Sequence, residues 1–229
     1  MNRLSKLNRK KEAQVTAESS AQITETDVLN GQAAENDLTE KTVVSMKKRL
    51  PWLIALLFLG MGVSAVVGAF EEVVAVLPVV ICFQSLILDM AGNVGTQSLA
   101  VTIRVLTDDN LSAKDKMRLV LKEAKVGLGI GLLLGVVAVI FLGIYISLFK
   151  QFDWREAFLI SSCVGLSLFL AMIMSSLVGT IIPLFFHKIK VDPAVASGPL
   201  ITTVDDLVAI ITYYGLTWAI LIHVMDIVT

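Results

Sequence analysis

Cysteine and histidine are scarce in this sequence, since each occurs twice among 229 residues. Cys82 and Cys163 both lie inside apolar runs, and their spacing matches no metal-ligand or redox motif. We interpret both as small packed residues. His187 and His223 lie near the ends of apolar segments, where an interfacial position is expected. Any metal chemistry in this chain must therefore rest on oxygen ligands.

Charge is sparse after residue 50. Hydrophobic residues make up 55% of the chain, above the 45–50% that is usual for soluble domains, and the mean hydropathy is +0.78. The composition predicts an all-α integral membrane protein. The net charge of -1 gives no indication of nucleic acid binding.

The chain divides by composition into two parts. Residues 1–46 are polar, without a sustained apolar period, which predicts a disordered cytoplasmic tail. No signal peptide is expected there, since no apolar stretch follows the first basic residues. Residues 47–229 form the predicted five-helix membrane domain. Its five apolar segments, each long enough to cross a bilayer, are 51–71, 75–105, 124–149, 156–187 and 194–225.

Basic residues near the span ends predict the orientation. One side carries Lys47, Lys48, Arg49, Arg104, Lys114, Lys116, Arg118, Lys122, Lys125, Lys188 and Lys190. The other side carries only Lys150 and Arg155. The positive-inside rule then places the amino terminus in the cytoplasm and the carboxyl terminus outside.

The ionisable residues within the spans are all acids: Asp89 in the second span, and Asp205 and Asp206 in the fifth. A charged side chain at the bilayer centre costs about 2.5–3.5 kcal/mol on insertion scales, so such residues usually face protein or a water-filled path. No Lys or Arg lies at comparable depth. We infer that a cation from solution supplies the missing positive charge.

The second span contains a polar stripe. Asp89, Asn93 and Gln97 are spaced i, i+4, i+8 and share one helical face. Gly92 and Gly95 flank Asn93, and glycine permits close backbone approach or a local break that exposes carbonyl oxygens. Simple helix packing, with interhelical hydrogen bonds from the amides, remains an alternative.

The fifth span favours an ion path. Asp192-Pro193 starts it, and Gly198-Pro199 is expected to interrupt its first turns and to free backbone carbonyls. Thr202, Asp206 and Tyr213 then share one face.

Asp205 points about 100° away from that face. We therefore assign Asp206 to the aqueous path and Asp205 to its flank or to a neighbouring helix. Two protonated acids satisfied by Ser or Thr are the alternative. Oxygen ligands select hard cations, and few carboxylates with waters suit Mg²⁺.

Three stretches resemble the transmembrane domain of the MgtE family of magnesium channels: "KRLPWLIALLFLGMGVSAVVGAFEE", "MAGNVGTQ" and "DPAVASGPLITTVDDLVAIITYYG". The resemblance runs from about residue 48 to the end. It implies a homodimer whose second and fifth helices line one path on the twofold axis. It also implies that an aspartate from each subunit holds a largely hydrated Mg²⁺, and by alignment that aspartate is Asp206.

The sequence departs from the family pattern in two respects. Ala91 replaces the first of a glycine pair, and Asp89 is an additional acid. Many family members also carry an amino-terminal helical domain and CBS domains that sense Mg²⁺, for which 46 polar residues are too few. We expect regulation, if present, to lie in the tail or in an unknown partner.

The predicted function is Mg²⁺ uptake across the plasma membrane, with a second copy, the divalent cation and membrane lipid as partners and no enzymatic activity. The expected metal-binding residues are Asp206, Thr202, Gly198, Asp89, Gly92 and Asn93, and the expected supporting or pore-lining residues are Gly95, Gln97, Asp205 and Glu71. Glu71 and Glu72 could draw cations to the outer mouth or simply end a helix in solvent.

Two other functions would also use acids within the membrane. An intramembrane aspartyl protease could use Asp89 with Asp206, but the glycine-rich sequence around the second aspartate of such enzymes is missing. A proton-coupled divalent-cation antiporter of the same fold is the stronger alternative, with Asp89 and Asp205 as proton carriers.

Overall fold

A computed structural model describes residues 40–71, 78–107, 111–191 and 198–222 of the chain. Five long helices make up almost all of this part, and each is long and apolar enough to cross a membrane. They are α1 (Thr42–Ala69), α2 (Ile81–Leu106), α3 (Ala113–Lys150), α4 (Trp154–Lys188) and α5 (Gly198–Thr217). A 3₁₀ turn, Pro78–Val80, leads into α2, and a π turn, Trp218–Ile222, follows α5. The prediction of an all-helical chain with five spans is confirmed.

The described residues divide into two compact units, with the boundary between Ile54 and Ala55. In the first unit, the Glu40 carboxylate accepts hydrogen bonds from Lys48 Nζ and, at 2.6 Å, from Ser45 Oγ. These two donors, Lys48 first, lower the pKa of Glu40.

Helix α3 begins eleven residues before the predicted third span, because helix ends and membrane boundaries have different causes. Its start is set by a capping box, in which Asp115 N donates to Ser112 Oγ at 3.2 Å and Ser112 N donates to Asp115 Oδ2 at 3.3 Å. The apolar stretch starts only at Val126. The first turns of α3 are therefore a charged helical extension of the span.

Helix α4 is the centre of the second unit, where it packs against α2, α3 and α5. Small residues bring α3 and α4 together. A Cβ atom at Gly131 would lie 2.8 Å from Phe169 O, and one at Gly135 would lie 2.8 Å from Gly165 O. The row Gly127, Gly131, Gly135 thus allows close helix packing, as its spacing predicts.

The carboxyl-terminal part of α1 contacts this core. Val63, Val66 and Val67 are partly buried against it, and the ring of Phe70 stacks on Tyr214 with 5.6 Å between centroids. No residue of α1 is fully buried. Of the two cysteines, Cys163 is buried as expected but Cys82 is exposed.

Candidate cation site

The crossing of α2 and α5 is built on glycines. A Cβ atom at Gly92 would lie 3.3 Å from Thr202 Cγ2, and one at Gly95 would overlap the Asp205 carboxylate and lie 3.2 Å from Ile201 Cγ2. Two of the predicted site residues on α2 therefore contact two on α5. Gly198, at the start of α5, faces the Thr96 methyl group, 3.8 Å from where its Cβ would be.

The polar stripe of α2 is exposed in the single chain. Asp89, Asn93 and Gln97 are all exposed, and Asn93 Nδ2 donates to Asp89 Oδ2 at 3.3 Å. Asp89 borders an open groove of about 570 Å³ with Ser85 and with Tyr145 of α3. The three residues share a face as the spacing predicts, but no hydrogen bond in the described part joins them to Asp206.

Helix α2 is unbroken through its glycines. Thr96 Oγ1 donates to Gly92 O at 2.9 Å and to Asn93 O at 3.0 Å, so these carbonyls already have hydrogen-bond partners. Of the two roles considered for Gly92 and Gly95, the structure shows close approach and no local break.

The expected interruption at Gly198-Pro199 is not tested, because the residues that precede this pair in the span lie outside the described part. Both residues belong to the first turn of α5, which is helical from Gly198 to Thr217. Pro199 O accepts hydrogen bonds from Thr202 Oγ1 at 3.1 Å and from Thr203 Oγ1 at 2.7 Å. Proline is tolerated at this place because its missing N–H would have no partner within the helix. Asp192 and Pro193 lie outside the described residues.

Two neighbouring acids of α5 have different surroundings. Asp206 and Thr202 are half-buried. Asp205 is 0% exposed, and neither of its carboxylate oxygens has a hydrogen-bond partner among the described residues. It lies over Gly95, and its polar neighbour is Ser175 of α4, whose buried hydroxyl is also without a partner in this part of the chain.

The crossing of α2 and α5 is closed from the third side by α4. A Cβ atom at Gly179 would overlap the backbone oxygen of Gly95. Gly95 thus lies between Gly179 of one helix and Asp205 of another. Asp205 is thus enclosed at the point where α2, α4 and α5 meet.

Tyr213 does not share an open face with Thr202 and Asp206, contrary to the expectation from spacing. It is 1% exposed, and its hydroxyl donates to Val80 O at 2.8 Å. Tyr214 likewise donates to Gln84 Oε1 at 2.6 Å. These two bonds attach the carboxyl-terminal half of α5 to the start of α2 and the turn before it.

The remaining predicted residues are peripheral. Glu71 is exposed just after α1, and Glu72 lies outside the described residues. No group of three His, Cys, Asp or Glu side chains in the described part could hold a metal ion. The described part of one chain therefore does not supply a closed set of carboxylate ligands.

Glu123 is a buried acid that the sequence argument missed. It is 4% exposed; its Oε2 accepts from Ser98 Oγ at 3.1 Å, and its backbone oxygen accepts from Ser176 Oγ at 2.7 Å. The predicted third span begins at residue 124, so this acid precedes it by one residue. Its position four residues before Gly127, on the small-residue row that faces α4, is the signal that could have found it.

A cavity of about 220 Å³ links this acid to the polar stripe, since both Glu123 and Gln97 line it. Ser98 and Lys122 line the same cavity, and Lys122 Nζ lies 3.8 Å from Glu123 Oε1.

The described part is thus a bundle of membrane-spanning helices in which acids and amides gather at one helix crossing and along one exposed stripe. This arrangement defines the class of multi-pass helical membrane proteins. A family model described as "MgtE: Divalent cation transporter" matches residues 84–216. The chain belongs to the MgtE family of divalent cation transporters.

Individual relatives agree with the family model. The magnesium transporter MgtE of Bacillus subtilis is 38% identical over 189 residues, covering 82% of this chain and 40% of the relative. The Enterococcus faecalis protein of the same name is 34% identical over 200 residues, covering 83% and 42%. That of Thermus thermophilus is 33% identical over 165 residues, covering 72% and 34%. The chain spans about two fifths of the first two relatives' length, and the resemblance inferred from the motifs is confirmed.

Proposed function

We propose that this chain mediates Mg²⁺ uptake across the plasma membrane, through an aspartate-lined path that α2 and α5 of two subunits form on a homodimer axis. The observation that supports this most is the exposed stripe Asp89, Asn93, Gln97 on a membrane-spanning helix, next to a helix whose Asp206 is half-buried.

The stripe is incompatible with lipid. Charged and amide side chains on a span must face protein or water, and the described part of one chain leaves all three uncovered. A second copy related by a twofold axis would cover the stripe and would bring a second Asp206 to the path. The incomplete ligand set in the described part of one chain also favours a site shared by two copies.

The oxygen atoms of this path suit a cation that keeps its water. Mg²⁺ dehydrates reluctantly and is commonly held through waters and one or two carboxylates. We assign the carboxylates to Asp206, with Asp89 and Asn93 as further acceptors for hydration waters. Thr202 donates to Pro199 O, and its lone pairs remain for a water. Gly92 and Gly198 allow the backbones of α2 and α5 to approach each other closely.

The supporting residues have separate roles. Gly95 and Asp205 pack the crossing of α2 and α5, while Gln97 continues the stripe toward Arg104. Glu71, exposed after α1, is placed at the outer mouth if the basic ends of α2 and α3 are cytoplasmic, as the positive-inside rule indicates. A divalent cation then gains about 4.6 kcal/mol per 100 mV of inside-negative potential, at roughly 2.3 kcal/mol per charge.

Mg²⁺ influx into proteoliposomes under an inside-negative potential tests the proposal. Asp206→Asn removes the charge and keeps the shape, and we expect it to lower influx at least about tenfold. Glu156→Gln, at an exposed acid in the first turn of α4, is the matched control and should conduct like the native chain.

Equal influx of native protein and Asp206→Asn would contradict the assignment of Asp206. Influx by the native chain that requires an opposing proton gradient would instead support the antiporter of the same fold. If reconstituted native protein transports no Mg²⁺ with or without that gradient, the proposed function is wrong for this chain.

A further inference from the structure

The exposed face of the first turns of α3 carries a row of basic side chains. Lys114, Arg118, Lys122 and Lys125 follow one another at intervals of four, four and three residues, so they lie on one side of the helix. All four are exposed. They line a shallow surface groove of about 590 Å³, which we call the basic groove.

The basic groove also has an apolar component. Met117 and Leu121 line it between the cations, and they are 59% and 57% exposed. Exposed apolar side chains that alternate with cations on a helix are typical of the membrane interface, where headgroups and the first acyl carbons meet. A binding site for an anion in water would not require these exposed apolar side chains.

The depth of the basic groove in the membrane follows from the charge distribution of α3. From Val126 to Phe149 the helix has no charged residue, and this stretch is about 36 Å long at 1.5 Å per residue. Since the hydrocarbon core is about 30 Å thick, Lys122 and Lys125 lie at the headgroup level of one leaflet. Arg118 and Lys114 lie one to three turns farther out, within reach through their long side chains.

The groove's positive charge is largely uncompensated. Lys122 contacts Glu123, whereas Lys114, Arg118 and Lys125 form no ion pair with any carboxylate of the described residues. Asp115 of the same helix is engaged with Ser112 in the capping box, and it also interacts electrostatically with Arg118 without forming an ion pair. Glu123 points into the interface of α3 with α2 and α4. The side that faces the lipid therefore presents cations and apolar groups.

We propose that the basic groove binds the phosphate headgroup of an anionic phospholipid, at a specific site on α3. Lys125 and Arg118 contact the phosphate, and Met117 and Leu121 cover the glycerol region. The acyl chains run down the exposed apolar side of the same helix, where Leu132 and Val136 are 55% and 52% exposed. The charge complementarity matches the basic clusters that bind anionic headgroups at one membrane face.

The test measures lipid bound to the full-length chain. The chain is purified from membranes in mild detergent, and short-chain phosphatidylglycerol or phosphatidylcholine is then added. Bound lipid is counted by native mass spectrometry, and the melting temperature is followed in parallel. We expect phosphatidylglycerol to bind and to raise the melting temperature, and phosphatidylcholine to do neither.

The variant for this test is Arg118→Gln with Lys125→Gln, which spares Lys122 because Lys122 contacts the buried Glu123. We expect its affinity for phosphatidylglycerol to fall at least about tenfold. Lys150→Gln with Arg155→Gln removes one lysine and one arginine at the opposite end of α3 and the start of α4, and should bind like the native chain. Arg118→Lys with Lys125→Arg keeps the charges and should retain binding even if glutamines at these positions impair folding.

Equal retention of phosphatidylglycerol by the glutamine variant and the native chain would overturn the proposal. So would equal binding of the two lipids, or displacement of phosphatidylglycerol by millimolar inorganic phosphate, which would indicate a free-anion site. A change of oligomeric state in the glutamine variant with unchanged lipid binding would make the groove an interface between copies. None of these readouts depends on transport, so the lipid site and the proposed function are tested separately.

Discussion

Neighbouring acids in α5 show how strongly the surroundings of one residue determine its role. Asp205 is enclosed by Gly95 and Ser175 and has no hydrogen-bond partner in the described part, whereas Asp206 keeps part of its surface open. A residue on a path must be reachable by a hydrated ion, and only Asp206 of the two meets that condition in the single chain. The carboxyl group of Asp205, one position earlier, is instead part of the contact between α2 and α5.

Glu123 offers a test of buried polar bonding at the residue scale. Glu123→Ala removes the acceptor of Ser98 Oγ and enlarges the adjacent cavity, so we expect it to lower the free energy of unfolding by about 1–3 kcal/mol. Glu123→Gln keeps a carbonyl oxygen for Ser98 and should cost less. Thermal unfolding in detergent is the measurement, with Glu156→Ala at an exposed position as the control. Similar melting temperatures for Glu123→Ala and Glu156→Ala would show that the buried network contributes little.

Helix pairs are held at the scale of elements by rows of small residues. The α3–α4 pair approaches closely along Gly127, Gly131, Gly135 and Gly165, while the α2–α5 pair does so at Gly92 and Gly95. Lipid provides no hydrophobic driving force between helices, so close van der Waals contact must replace it.

Two glycines of α3, two residues apart, allow a matched comparison. A Cβ atom at Gly131 would lie 2.8 Å from the backbone oxygen of Phe169, while one at Gly129 would meet nothing within 4 Å. We expect Gly131→Ala to destabilise the protein by about 1–3 kcal/mol, because backbone atoms cannot move aside as a side chain can. Gly129→Ala should leave the melting temperature unchanged or slightly higher. Equal effects of the two changes would contradict the close approach of α3 and α4 along this row.

The whole molecule poses a different question, because the polar stripe of α2 needs a cover that the described part of one chain does not provide. A helix that faces lipid can expose leucine, and Leu133 of α3 is 70% exposed. Exposure of Asp89 and Asn93 to lipid would be costly, because both side chains are polar. This requirement is the main reason to expect a symmetric dimer.

Cross-linking tests that dimer. In a Cys82→Ser background, Asn93→Cys is expected to give a dimeric band with a short thiol-reactive cross-linker in native membranes, since position 93 faces the proposed axis. Leu133→Cys, on the exposed apolar side of α3, is the control. We expect it to give only a monomeric band after cross-linking. The reverse pattern would place the subunit interface on α3 and would remove α2 from the axis.

Much of the fold and part of the candidate site could be predicted from the sequence. The five spans follow from hydropathy, because the free energy of transfer into lipid is a sum over local residues. The shared face of Asp89, Asn93 and Gln97 follows from helical geometry alone. The predicted third span is shorter than helix α3, because a capping box and not hydropathy determines where this helix begins.

By itself the sequence determined the membrane class, the number of spans and the family, since these depend on local composition and on motifs. Only the tertiary structure decided that Asp205 is enclosed, that Tyr213 bonds to Val80 and that Glu123 is buried with Ser98 and Ser176. Burial depends on which helix lies alongside. Which helix covers a given face depends on contacts between residues far apart in the chain, such as Glu123 with Ser176. The periodicity of one helix does not specify those contacts.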